Sequence, residues 1–468
     1  MSDREMKRSA LAIATLSAFL TPIMGSAVNV ALPSIQKEFQ MNAVLLSWIA
    51  TTYLLAAAVS LVPFGRLADI YGRRKIFGVG VLLFTVASFL SAISVSASML
   101  ITCRVFQGLG GGMIFSNGLA ILSSVFPPTE RGKAIGINAA ATYVGLSIGP
   151  FLGGFLTHQL SWRSIFLLGV PLGLTIICIL VWKLKGEWAG SRGEKFDLRG
   201  ALIYALAIVA IMYGLSLLPT FTSFWIIPLG LVSAVGFVRW EMNLKNPVFQ
   251  LDLFRTNRVF AFSNLAALLN YCSTFAVLLL LSLYLQYIKG FTPQSAGFIL
   301  ASQFVVQAAF SPLAGRLSDK IEPRILATAG MALTAAGLFQ LVWIGSATSV
   351  WFIVASLIQI GFGFAFFAPP NTNAIMSSVE KKFYGVASGS VGTMRLLGQV
   401  TGMGIITLIF NIYIGRGEIT PDVYPAFITA FKIAFGIFFV LTAGGVFASM
   451  VRGNLRQEGS DAGPAEGR

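Results

Sequence analysis

Charged side chains are scarce in this 468-residue sequence: Asp, Glu, Lys and Arg make up 11% of it, less than half the roughly 25% of an ordinary soluble domain. Such a shortage excludes a water-solvated surface over most of the chain. Histidine is close to absent, with His158 alone, so no cluster of imidazole metal ligands can form. The three cysteines, Cys103, Cys178 and Cys272, all fall in apolar runs without metal-ligand spacing. They read as small apolar packers and exclude a disulfide framework. Neither an H-E-x-x-H pair nor a P-loop occurs, which removes two common signatures of metal hydrolysis and nucleotide use. A membrane enzyme would need a catalytic constellation, and none is evident; no enzyme activity, cofactor or metal is expected.

What is abundant is apolar. Hydrophobic residues make up 56% of the chain, with 39 Phe and 48 Gly, and the mean hydropathy is +0.80. About 20 apolar residues cross a bilayer core as a helix. Only helices and closed barrels satisfy the backbone there, and unbroken apolar runs rather than alternation mean helices. Fourteen such runs lie near 9–31, 44–64, 76–95, 98–122, 134–157, 163–182, 200–218, 222–238, 260–287, 295–314, 325–344, 350–376, 386–412 and 427–450. The fold class expected is therefore an all-α polytopic membrane protein. The first run is long enough to span and lacks a cleavage-site pattern, so it reads as a retained helix rather than a signal peptide.

The net charge of +15 invites a nucleic-acid reading, but the placement of the cations argues against it. With fourteen spans and both termini on one side, 26 of the 33 Lys and Arg fall on the terminal side and four, Lys37, Arg163, Lys289 and Arg416, on the other. Arg104, Arg395 and Lys432 remain within spans. Positive loops stay in the cytoplasm, so both termini are expected there, with anionic headgroups of the cell membrane as partners and no nucleic acid.

Two charged strings interrupt the apolar pattern: "GRLADIYGRRK" at Gly65–Lys75 and "GRLSDKIEPRI" at Gly315–Ile325. They align at an offset of 250. Gln107 then matches Gln359, "AILSSV" at Ala120–Val125 matches "AIMSSV" at Ala374–Val379, and Gly132 matches Gly385. Spans one to six thus repeat as spans nine to fourteen, with spans seven and eight as an insert. Eight spans precede the second copy, so the repeats are parallel, the symmetry of transporters that rock two halves about a central site.

On these motifs the chain resembles the major facilitator superfamily, specifically its fourteen-span drug:proton antiporter branch, across residues 9–450. The resemblance implies two six-helix bundles plus two extra helices. The expected order is a cytoplasmic tail (1–8), a first bundle (9–185), a two-helix insert with flanking loops (186–258), a second bundle (259–450) and a disordered cytoplasmic tail (451–468). It also implies an alternating-access, monomeric exporter of small amphipathic compounds of the multidrug-efflux type, with protons as the coupled partner. Gly65, Arg66, Asp69, Gly72, Arg73 and Arg74 look like the family's cytoplasmic gate, in which Asp69 accepts from a neighbouring helix N-terminus and pairs with an arginine. Gly315, Arg316 and Asp319 form a weaker second copy. Gly136, Gly145, Gly149, Pro150, Gly153 and Gly154 reproduce the family's antiporter motif in span five, where spacings of four let helices approach closely.

The sequence also departs from the family pattern. The aspartate that the family often carries in span one is Met24 here, and all eighteen acids fall in loops, tails or span edges. A proton antiporter normally carries its proton on an embedded carboxylate or histidine. The embedded charges here are Arg104 and Arg395; for Arg104, snorkelling to the interface remains an alternative. The uncharged candidates for a substrate cavity are Asn29, Gln107, Asn117, Tyr143, Asn270, Gln303, Gln307, Asn371, Asn373 and Gln399. Each serves either a hydrated path or helix–helix contact. Two further readings stay open: a proton-independent facilitator or exporter of anionic or neutral metabolites, and a non-transporting receptor or scaffold.

Overall fold

The computed structural model describes residues 3–41, 43–218, 220–244, 252–291, 293–413 and 424–453. No strand occurs among them. The helices are α1 (Asp3–Phe39), α2 (Ala43–Tyr71), α3 (Arg73–Ala92), α4 (Ala97–Val125), α5 (Pro128–Gln159), α6 (Arg163–Trp182), α7 (Leu198–Ser216), α8 (Ser223–Glu241), α9 (Asp252–Thr256), α10 (Arg258–Leu283), α11 (Pro293–Ser318), α12 (Pro323–Val342), α13 (Val350–Ser377), α14 (Tyr384–Tyr413) and α15 (Tyr424–Val451). All but the short α9 are long and apolar enough to cross a membrane, giving fourteen candidate spans among the described residues. That count agrees with the sequence. The tail expected over 451–468 lies outside the described residues beyond Gly453.

Boundaries differ where a helix opens on polar residues. α5 starts at Pro128, six residues before its apolar run, because proline at the first helical position forgoes no hydrogen bond. Its first turn, Thr129-Glu130-Arg131, is polar and so escapes a hydropathy reading. Other starts carry side-chain caps: Ser96 accepts from the Met99 N–H, and Asn257 from the Phe260 N–H.

The chain divides into two compact units. One comprises Met1–Pro127, Ile137–Gln250 and Lys381–Leu396; the other comprises Pro128–Gly136, Leu251–Glu380 and Leu397–Arg468. The opening of α14 thus packs with the first unit, and the opening of α5 with the second. These two openings are counterparts in the repeat. Leu20, Phe77, Phe84, Ile165 and Phe166 are buried in the first core. Phe427, Phe431, Phe435 and Phe438 stack along α15 against Tyr284 and Leu338 in the second. Leu82, Val86 and Phe89 stand exposed along α3. For a spanning helix, this outward apolar face has lipid as its solvent.

Candidate functional site

At the end of α2, Asp69 is fully buried. Its Oδ1 accepts from Arg73 Nε at 3.0 Å and Nη2 at 2.7 Å. The same carboxylate accepts the Gly385 N–H at 3.0 Å and the Val386 N–H at 3.2 Å. Both donors lie in the first turn of α14, where backbone N–H groups have no partner within the helix and the dipole favours an anion. Arg73 also donates to Ser124 Oγ at 2.7 Å and to the Lys381 carbonyl, and lies over the Tyr384 ring at 5.3 Å. One carboxylate therefore serves a neighbouring cation and a helix terminus from the far end of the sequence.

The approach needs glycine on both sides. A Cβ on Gly65 would stand 2.4 Å from the Gly385 carbonyl oxygen, and one on Gly385 would stand 2.2 Å from the Gly65 carbonyl oxygen. No real Cβ occupies such a position, so any larger residue must push α2 and α14 apart.

The second copy repeats this arrangement. Asp319, just past α11, accepts the Gly132 N–H at 2.6 Å and the Lys133 N–H at 2.9 Å, in the opening of α5. Gly132 and Gly315 meet in the same way: a Cβ on either would lie within 2.3 Å of the other's carbonyl oxygen. Arg131 donates to Ser377 Oγ at 3.1 Å. The copies differ at their arginines. Arg66 is buried, whereas its counterpart Arg316 is exposed.

Sequence reasoning missed the connector that follows α6. It docks on the first string. Trp188 O accepts the Arg73 N–H at 2.9 Å, and the Ser191 N–H donates to the Asp69 carbonyl at 2.9 Å. Arg66 donates to Ser191 Oγ at 3.2 Å and forms an ion pair with Glu194. The Arg74 N–H donates to Glu187 Oε1 at 2.9 Å. Gly72 has φ +118°, and the Glu187 carboxylate occupies the space where its side chain would be. Gly190 packs against the Lys382 backbone. Tyr204 of α7 was missed as well: its buried hydroxyl lies 3.0 Å from Thr393 Oγ1 on α14 and 3.4 Å from the Ala58 carbonyl on α2. A phenol in the middle of an apolar span was the available signal, since such a group must find a partner.

The glycines of α5 divide by partner. Gly145, Gly149 and Gly153 lie against Phe19, Ser26 and Ala27 of α1, where added Cβ atoms would come within 2.7, 1.9 and 2.6 Å of them. Gly154 has only an ordinary 3.7 Å contact with Val30, and Gly136 faces Ser311 of α11 instead. Pro150 sits inside the helix between these contacts.

The two embedded arginines have different surroundings. Arg104 is 1% exposed. Its Nε donates to the Ile49 carbonyl at 3.0 Å, its Nη1 donates to Gln107 Oε1, and it lies 4.2 Å over the Tyr53 ring with Phe166 at 6.0 Å. Gln107 in turn donates to Ser88 Oγ at 2.7 Å. The guanidinium is inside the helix bundle rather than at its surface. Arg395 is only half-buried and lies 5.6 Å from the Phe115 ring.

The uncharged candidates also sort by environment. Asn371 donates to the Ser263 carbonyl at 3.0 Å and accepts from Arg452 at 2.8 Å, so it joins α13 to α10 and to the end of α15. Asn373 donates to Ser318 Oγ at 3.0 Å. In contrast, both amide atoms of Asn270, the Gln303 Oε1 and the Asn117 Oδ1 are buried with no hydrogen-bond partner among the described residues. Gln307 and Tyr143 are buried, Gln399 is half-buried, and Asn29 is exposed. Outside the spans, Glu38 accepts from Arg163 Nη1 at 2.8 Å and Nη2 at 2.7 Å and from Trp162 Nε1 at 2.7 Å. The Arg163 hydrogen bonds, followed by that of Trp162, hold its carboxyl below the usual value of 4.5.

The chain as a whole is similar to known proteins. The family model described as Major Facilitator Superfamily matches residues 14–238 and 264–467. A riboflavin transporter, RibZ of Clostridioides difficile, is 27% identical over 444 residues, covering 94% of this chain and 95% of its own. The multidrug resistance protein Stp of Mycobacterium tuberculosis is 33% identical over 386 residues, covering 81% and 71%. Among solved structures, the proton:xylose symporter XylE aligns with a TM-score of 0.70 at 15% identity, covering 97% of each chain. At that identity the likeness concerns the fold alone.

Proposed function

The chain belongs to the major facilitator superfamily and is a transporter of that family; on that premise we propose that it exports small amphipathic organic compounds by alternating access, in exchange for protons. The observation that carries this reading is the paired latch. Asp69 holds the first turn of α14, and Asp319 holds the opening of α5, each beside a glycine pair with no room for a side chain. Such a latch is short, polar and reversible. A carboxylate on a helix terminus contributes a kcal/mol or so, enough to bias two states without freezing either.

In this reading the latches close the cytoplasmic side, where both termini lie, in keeping with the bias of basic residues toward that face. Asp69 links gating to protons. Its neutral form keeps at most part of its hold on Arg73 and on the two N–H donors of α14, so proton uptake releases the latch. The name of the relative Stp, a multidrug resistance protein, favours drug-like compounds as cargo, and the glycine face of α5 against α1 supports the close helix packing of the antiporter motif.

A second reading has its own support. No carboxylate lies in a span interior, and one relative is named as a riboflavin transporter. Proton-independent transport of a neutral or anionic metabolite fits both facts. Flux in proteoliposomes with and without an imposed pH gradient decides between them: exchange predicts accumulation that collapses with the gradient, whereas gradient-independent equilibration supports the facilitator.

A further inference from the structure

We propose that Arg395 receives a negatively charged group of the substrate, so that the compounds moved are organic anions carrying an aromatic ring. This inference rests on the transporter reading above. It starts from a count of charges by depth. All eighteen carboxylates of the sequence lie in loops, tails or span edges, whereas the guanidinium groups of Arg104 and Arg395 and the ammonium of Lys432 lie within spans. A cationic substrate crossing the bilayer would meet like charge and no counterion.

The two arginines are not equivalent. Arg104 is closed off, with Ile49 and Gln107 on its N–H groups and aromatic rings beside it. Arg395 stands at the midpoint of the candidate span Lys381–Phe410 and remains half-buried. It lies about 17 Å along α14 from Tyr384, at 1.5 Å per residue, too deep for its side chain to reach either interface. A charge at that depth is costly and marks function by default.

Its surroundings set the shape of the ligand. Gly392 precedes Arg395 by three residues and so shares its helix face. A Cβ on Gly392 would stand 2.8 Å from Phe115 Cε1. The ring therefore lies directly on α14, beside the guanidinium it supports at 5.6 Å. Ser388 donates to the Phe115 carbonyl at 3.4 Å, fixing the same approach one turn earlier. A planar fork with five donors suits a carboxylate or phosphate, and an adjacent aromatic face suits a ring. At a separation of about 6 Å and an effective dielectric of about 20, one unit charge alters affinity by roughly 100-fold. That factor favours an anion over its neutral analogue and opposes a cation.

The test uses three matched probes, 2-naphthoate, 2-naphthamide and 2-naphthylmethylammonium, with purified full-length protein. Binding is measured in detergent and flux in proteoliposomes, for the wild type, Arg395→Gln and Arg395→Lys. The expected wild-type result is naphthoate bound at least tenfold more tightly than naphthamide, with the ammonium weakest. In Arg395→Gln the naphthoate advantage disappears while naphthamide binding is kept. Arg395→Lys restores part of it, since the charge returns without the fork. A preference for the ammonium, an unchanged ranking in Arg395→Gln, or no binding of any probe overturns the proposal. Retained anion selectivity in binding without flux would instead count against the transporter reading and uphold the site. Flux with cation preference would do the reverse.

Discussion

The Gly385 N–H donates to Asp69 Oδ1 at 3.0 Å across 316 residues of sequence. Because the acceptor is fully buried and shared with Arg73, this contact joins electrostatics to helix position. Moving the α14 terminus exposes an ion pair, and neutralising the ion pair frees the terminus.

Asp69→Asn should therefore loosen the latch and strand Arg73. Breaking a buried pair by removing one partner costs about 3–5 kcal/mol, and the effect should fall at the low end because the amide oxygen still accepts. The expected outcome is a lower Tm and impaired transport. Wild-type flux in Asp69→Asn liposomes would rule out the latch.

Gly385→Ala and Gly315→Ala should act through sterics alone. Each new Cβ meets a backbone carbonyl oxygen at 2.2 Å, so the paired helices must separate. Transport should fall, and thiol-reagent access to single cysteines introduced in the adjacent loops should rise. Gly236 of α8, with nothing within 4 Å, is the control. Gly236→Ala should leave flux unchanged and stabilise the helix by up to about 1 kcal/mol.

Glu194→Gln should undock the connector from Arg66. A loss of ~1 kcal/mol in that local equilibrium corresponds to roughly fivefold faster proteolysis within residues 183–197. Unchanged cleavage would show that the remaining bonds of Glu187, Trp188 and Ser191 hold the segment without Glu194.

The Glu38 clasp on Arg163 and Trp162 predicts an acid limb in stability. Its carboxyl is held below 4.5, so its contribution is present above that pH and is lost as pH falls through the lower folded value. Tm profiles of the wild type and Glu38→Gln should differ at neutral pH, and the difference should shrink as pH falls below the usual value of 4.5. A difference that grows as the pH falls below 4.5 would contradict this assignment.

Much of the fold was legible because lipid leaves few options: an apolar run of sufficient length must be a helix, and fourteen runs gave fourteen candidate spans. The repeat offset also picked out the four glycines of the latches. It could not say that Gly65 meets Gly385 and Gly315 meets Gly132, because an offset relates equivalent residues rather than touching ones. The connector left little trace since it docks through backbone groups and two ordinary glutamates, Glu187 and Glu194. The difference between Arg104 and Arg395 was likewise invisible. Both are arginines in apolar runs, and only packing separates a fully buried guanidinium from a half-buried one.

The most direct measurement is the spin-label distance between positions 71 and 381, both exposed, in a cysteine-free background reconstituted in lipid. Release of the Asp69 latch predicts one short distance in the wild type at neutral pH and a second, longer population in Asp69→Asn and on acidification. Identical distributions in all three conditions would contradict it.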